Sequence, residues 1–337
     1  MREPPVNLPE QTLRAALREA WGVVAEAVTF LPLGYDSAAW VYRVDVAGAA
    51  PLFLKARLSI SNRPGLLVPH VLHAQGIRQV VSPIATSAGD LWTPAGGYAL
   101  ILYPFVTGGS GMERGLTDSQ WEAYGALLRQ IHSAAVRPAL AAEMRRESFA
   151  PGWLDELRRV DELVLAGGLT GEPERELAEL WRARRAEIQQ VVARAERLGQ
   201  RLARAEVPLV ICHADIHTNN LLVEDGGGLW VVDWDETVLA PRERDLMFVM
   251  GGGISRQLVS PRQEELFLRG YGPPDADELA LAYYRAAWAV SDIGAYGAEV
   301  LLRPDLGELT KRAGVAQLAG LFKPGEIVDL ALGAEVT

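Results

Sequence analysis

The chain has 337 residues, too many for one simple core, so two lobes are the natural expectation. Hydrophobic residues make up 49% and charged residues 23%; no apolar run is long enough to span a bilayer, and the N-terminus, MREPPVNLPEQ, lacks the apolar core of a signal peptide. Net charge is −10, from 33 basic and 43 acidic residues, which argues against nucleic-acid binding, while a single cysteine, Cys212, excludes an internal disulfide and a multi-thiolate zinc site. A soluble cytoplasmic protein is the expectation, with no nucleic acid and no membrane among its partners, acting as a monomer or weak dimer. The acidic balance is compatible with a cationic small-molecule substrate, and equally with solubility alone.

Residues 8–21, LPEQTLRAALREAW, have helical periodicity, with Leu13 and Leu17 on one face. TFLPLGYDSAAWVYRVDV reads as strand, glycine turn, strand, and APLFLKARL as a third strand with Lys55 near its end. LLVPHVLHAQG is a short helix closed by Gly76. YALILYPFV is an apolar strand followed by TGGSG, which reads as a flexible break. This first part is β-rich, with a hinge near residues 103–110.

Beyond residue 110 the pattern turns helical. LTDSQWEAYGALLRQIHSA is amphipathic, with Thr117 or Asp118 as N-cap. Residues 173–205 are rich in Glu, Arg, Ala and Leu, a long helix whose charges read as a solvated face laced with i,i+4 pairs. LLVED and LWVVDWD are short strands with GGG between them as a hairpin turn. The remainder is helical. The layout is α+β: a small β lobe, residues 1–106, and a larger helical lobe, 107–337.

The chemistry concentrates in HADIHTNNLL, which begins at His213 between two strand-like runs. Its H-x-D-x-H spacing allows a metal site made of His213, Asp215 and His217. The other three histidines, His70, His73 and His132, form no H-x-H or H-E-x-x-H pair to complete one. The alternative uses Asp215 as a base and Asn220, five residues on, as a magnesium ligand. The LLVED–LWVVD hairpin would bring Asn220 beside Asp233, and an amide oxygen with a carboxylate suits a hard cation. Asp235 and Glu236 add negative charge nearby. Lys55 is costly to bury without an anionic partner, and the turn LGYDSAAW can present backbone N–H groups to phosphate.

The order of these segments resembles the protein-kinase-like arrangement for phosphoryl transfer. HADIHTNNLL, VVDWDE and PRERDLMFV together are similar to the aminoglycoside phosphotransferase and choline kinase superfamily. LRQIH, CHADIHTNNLLV, DWDETVLAPRERDLMF, GGG and YYR are most similar to its spectinomycin-phosphorylating members. The resemblance implies a protein-kinase-like two-lobe fold and a kinase that uses ATP or GTP with Mg2+. Its acceptor would be an aminocyclitol or aminoglycoside, spectinomycin first, with antibiotic resistance as a role. A kinase of the same fold acting on choline, homoserine or a sugar, and a nucleotide-binding pseudokinase, are the alternatives.

By the same resemblance, Asp215 is the catalytic aspartate, and Asn220 and Asp233 hold magnesium. Lys55 meets the α- and β-phosphates, Gly34, Asp36 and Ser37 cover them, and backbone groups around Leu102, Tyr103 and Phe105 meet the purine edge. His213 braces the catalytic loop and Asp245 buttresses it from below. The acceptor side would use Asp235, Glu236 and one face of the helix YYRAAWAVSDIGAYG, with Tyr284, Trp288 and Asp292. One departure stands out. Kinase-like folds pair the strand lysine with an acid on the following helix, yet no Asp or Glu occurs from Ala56 to Gly89. The expectation is that Asp233 takes over that partnership.

Overall fold

The computed structural model describes residues 4–5, 7–33, 38–60, 62–254 and 257–333. In chain order its first elements are α1 (Glu10–Trp21), β1 (Ala25–Leu31), β2 (Ala39–Val46), β3 (Leu52–Arg57), α2 (Pro64–Ala74), β4 (Thr93–Ala95), β5 (Tyr98–Pro104) and β6 (Gly108–Ser110). There follow α3 (Gly111–Arg114), α4 (Asp118–His132), α5 (Pro138–Glu143), α6 (Leu154–Ala166), α7 (Glu172–Leu202), β7 (Val210–Cys212), β8 (Leu221–Glu224), β9 (Leu229–Val231) and β10 (Val238–Ala240). The last are α8 (Glu243–Leu246), β11 (Gly253–Ile254), β12 (Gln257–Leu258), α9 (Pro261–Tyr271), α10 (Glu278–Leu301), α11 (Glu308–Leu321) and α12 (Ile327–Gly333). Among the described residues, no helix is long and apolar enough to cross a membrane. The chain packs as two compact units, residues 1–145 with 213–238, and residues 146–212 with 239–337. The expected lobe boundary at 106/107 falls inside the first of them.

In the first unit, five strands pair antiparallel in the order β1-β2-β3-β5-β4. Because side chains alternate across a strand, each cross-strand row belongs to one face. The row Tyr42–Leu54–Leu102 faces a core that α1 closes with Leu13 and Leu17, as the helical spacing of those two leucines requires. The neighbouring row, Val41–Lys55–Ile101, faces the other way. Alternation therefore presents Lys55 and Arg57 together on the face opposite α1.

A second, three-stranded sheet has the order β6-β8-β9. The segment TGGSG, read from sequence as a flexible break, is here strand β6 and the start of α3, paired with β8 in the register Gly108↔Glu224 to Ser110↔Leu222. Its glycines serve close approach: a Cβ on Gly108 would lie 2.1 Å from the Val223 carbonyl oxygen. The α4 helix begins at the expected cap, where Thr117 and Gln120 form a reciprocal capping box.

The second unit is helical around α10, which packs on α6, α7, α11 and α12. The charges of α7 do more than solvate its surface. Asp161 on α6 accepts from Trp181 at 3.0 Å and from two nitrogens of Arg185 at 2.8 Å each. Glu174 accepts from Lys311 of α11 at 2.6 Å. These pairs clamp neighbouring helices, while along α7 itself Arg184 pairs with Glu187 at 2.9 Å, three residues apart where four were expected.

Candidate active site

Strand β7 delivers the chain to His213, which is fully buried. Its Nδ1 accepts the Asp215 backbone N–H at 3.3 Å, which leaves the proton on Nε2 to be donated to the Val232 carbonyl at 2.9 Å. The ring lies against Trp234, centroids 4.7 Å apart. Both nitrogens are thus engaged with backbone, and His213 braces one loop against the next. That removes it as a metal ligand and with it the H-x-D-x-H hydrolase reading. Ala214 takes a left-handed φ of 69°, a conformation costly for a residue with a Cβ and one that recurs at functional loops.

Next comes Asp215, its side chain 27% exposed. Tyr124 of α4, itself buried, donates from its hydroxyl to the following Ile216 carbonyl at 2.7 Å and pins the loop from beneath. His217 approaches Asp215 Oδ1 with its Nε2 at 3.3 Å. A single 3₁₀ turn, Thr218–Asn220, then reverses the chain. Asn220 donates through its amide nitrogen to Asp215 Oδ2 at 2.9 Å and to the Asp215 carbonyl at 2.7 Å. With that nitrogen occupied, the amide oxygen is the group Asn220 has left to offer.

The β8–β9 hairpin carries out the return expected of it. Leu221 pairs with Val231, and the Val232 N–H donates to the Asn220 carbonyl at 3.0 Å, so Asp233 emerges one residue past the partner of Asn220. Asp233 has a left-handed φ of 62°, the second strained backbone in the site. Lys55 Nζ donates to Asp233 Oδ1 at 3.2 Å and to Asp235 Oδ2 at 2.9 Å. Asp233 therefore does take up the strand lysine, as the acid-free α2 helix requires, and shares it with Asp235. Burial opposes the Lys55 charge, but the two carboxylates more than offset it and hold the ammonium above its ordinary value. Burial likewise pushes Asp233 up, and Lys55 overcomes this to keep its carboxyl below the usual range.

Other expected residues stand as follows. Gly34, Asp36 and Ser37 lie outside the described residues. Leu102 is a core side chain, and its carbonyl accepts from the Ile84 N–H at 2.7 Å. The Phe105 N–H donates to Pro51 at 3.3 Å, and the Tyr103 ring meets Phe53 edge-on. Asp235, expected at the acceptor, is bound to Lys55 and Arg57. Glu236 is exposed and pairs with Arg145 at 3.3 Å. In the second unit, Asp245 is a fully buried residue of α8. Tyr284 and Trp288 share one face of the continuous α10 and line a cavity of about 80 Å³ with Glu147, Arg244 and Ser291; Asp292 is half-buried outside that lining. Arg244 stacks on both aromatics, 5.7 Å from Tyr284 and 5.2 Å from Trp288. The aromatic face expected for a cationic acceptor already carries the protein's own cation.

Arg57, Asn62, Gly65 and Tyr124 were not singled out from sequence. The signal for Arg57 was present in its position two residues beyond Lys55 on a strand. The other three act across long stretches of sequence and left no local mark.

The profile of a phosphotransferase enzyme family matches residues 68–284. No curated protein sequence matches the chain. Among solved structures, spectinomycin phosphotransferase APH(9)-Ia in complex with ADP and spectinomycin is 29% identical, with a TM-score of 0.86 over 95% of this chain and 97% of that one. The AMP-bound complex of the same enzyme is 28% identical, with a TM-score of 0.83 over 97% of this chain and 99% of that one. Choline kinase LicA from Streptococcus pneumoniae, 15% identical over 92% of this chain and 98% of that one, shares the fold with a TM-score of 0.55. A matched profile over most of the chain, spanning the segment that carries Asp215, Asn220 and Asp233, makes this protein a member of the phosphotransferase enzyme family that includes aminoglycoside phosphotransferases, built on the protein-kinase-like fold.

Proposed function

We propose that this phosphotransferase moves the γ-phosphoryl group of ATP or GTP to a hydroxyl of an aminocyclitol antibiotic, spectinomycin before others. The carrying observation is the hairpin that sets Asn220 against Asp215 and Asp233 against Lys55. The similarity to an enzyme solved with ADP and spectinomycin supports the acceptor.

The residues fit a magnesium ion. Asn220 retains its amide oxygen, and Asp233 retains the carboxylate oxygen not engaged by Lys55, both hard donors. When bound there, Mg2+ would supply positive charge that offsets the negative charge of the transition state. The protein's own groups do the rest. Asp215, held through Oδ2 by Asn220, orients the acceptor hydroxyl and receives its proton as the oxygen attacks. Lys55 lies on the strand face where its ammonium can meet α- and β-phosphate oxygens. The purine edge is met by backbone of residues 102–106 other than the Leu102 carbonyl and the Phe105 N–H, which are already bonded to Ile84 and Pro51. His213 positions the loop through Val232 and does no chemistry. Lobe 1–106 serves the nucleotide, and lobe 107–337 carries the catalytic groups and the acceptor.

The test is a panel of aminocyclitols, aminoglycosides, choline, homoserine and sugars with Mg–ATP or Mg–GTP, read as mass gain of one phosphoryl group. Spectinomycin should gain it. Gain only by a metabolite would replace the acceptor, and nucleotide binding without transfer to any compound would leave a pseudokinase. Asp215→Asn should lower kcat by about three orders of magnitude while nucleotide affinity is nearly kept, the pattern of a group acting only in the transition state.

A further inference from the structure

The missing helix acid leaves a gap in the charge balance of the site. Lys55 and Arg57 project from the same face of β3, and Asp233 and Asp235 face them from one loop with the same spacing of two. The four charges balance as they stand. Once Asp233 turns a carboxylate to a divalent ion, Lys55 needs an anion that stays behind. Asp235 is built for this. Its Oδ2 is the nearer partner of Lys55, at 2.9 Å against 3.2 Å for Asp233, and the same oxygen also accepts from Arg57. Its backbone is fixed as well, since the Asn62 amide donates to the Asp235 carbonyl at 2.6 Å.

Gly65 supplies the independent observation. It stands in the first turn of α2, where no acid occurs, and a Cβ there would lie 3.1 Å from the Trp234 carbonyl and 3.3 Å from the Asp235 Cα. The helix that carries no acid has instead been cleared for an acid arriving from the other direction.

We infer that Asp235, seated against Gly65 and anchored by Arg57, is the positioning residue that holds Lys55 in place of a helix acid, freeing Asp233 for the metal. This rests on the nucleotide-dependent transfer proposed above and goes beyond it in taking Asp235 away from the acceptor.

The experiment compares wild type, Asp235→Asn, Lys55→Met and the double variant. It measures KM for nucleotide and for acceptor, and calorimetric binding of ADP in metal chelator and of Mg–ATP. Asp235→Asn should raise the nucleotide KM and Kd by about tenfold or more, the scale of a lost hydrogen bond between charged groups, with acceptor KM within about twofold. In the Lys55→Met background it should add nothing, because its effect passes through Lys55. Asp235→Glu keeps the charge, moves it by one methylene and should show the same split at smaller amplitude; it serves if the amide variant does not fold. A rise in acceptor KM alone, or full additivity with Lys55→Met, overturns the inference. A wild type that binds nucleotide yet leaves spectinomycin unmodified removes the proposed acceptor only, and the binding arm still decides the role of Asp235.

Discussion

For Tyr284 the structure offers a packing role beside the acceptor role expected of it. Its spacing with Trp288 places both on one face of α10, as expected for an acceptor surface, but Arg244 occupies that face and the Tyr284 ring is buried. Among the described residues its buried hydroxyl has no hydrogen-bond partner, and burial pushes its ionisation far above the ordinary tyrosine value. A buried donor without a partner costs stability, typically about 1–3 kcal/mol, and deleting it recovers part of that. Tyr284→Phe should therefore leave the denaturant midpoint unchanged or raise it, with kcat/KM for the acceptor unaltered. A large loss of kcat/KM at unchanged stability would restore the hydroxyl as an acceptor contact.

At the scale of elements, the readable parts were those whose signal is local. The leucines of α1, the N-cap of α4 and the alternation of β3 each announce themselves within a few residues, and across the D-x-x-x-x-N spacing Asn220 donates directly to Asp215. What escaped depends on distant backbone. Strand β6 consists of Gly108, Gly109 and Ser110, residues that sequence statistics assign to a flexible loop. Its identity comes from β8, more than a hundred residues later, whose Val223 carbonyl fills the space where a side chain would be. Asp235 escaped for the same reason: its partners on β3 are remote in sequence, and the acidic run DWDE looks solvated by itself. The reading of β6 has a direct test. Gly108→Ala would set a methyl 2.1 Å from a backbone oxygen that cannot rotate away, so the strands must part. Overpacking of this kind costs about 1–3 kcal/mol, visible as a lowered denaturant midpoint. Because β8 continues directly from Asn220, kcat should fall as well, whereas a flexible linker would tolerate alanine with neither effect.

At the scale of the whole molecule, the chain crosses between its two compact units three times, so neither is a continuous piece of sequence. The first unit takes its sheet and α4 from residues 1–145, but draws the loop carrying Asp215 and the hairpin carrying Asn220 and Asp233 from residues 213–238. That inserted stretch also completes the unit's backbone pairing. It supplies β8 to β6, and Val231 both accepts from the Val81 N–H at 3.0 Å and donates to the Gln79 carbonyl at 2.8 Å. A fragment ending at 145 would therefore leave those backbone groups unmet and Lys55 without either carboxylate. Such a fragment should be unfolded or aggregated, with no cooperative thermal transition and no nucleotide binding, although it contains the entire five-stranded sheet. Adding residues 213–238 back by circular permutation or by a short linker joined after 145 should restore both properties together. Were the 1–145 fragment to melt cooperatively and bind ATP unaided, the hairpin would be an accessory to the nucleotide site, and the pairing of Lys55 with Asp233 and Asp235 would not be what holds that site in shape.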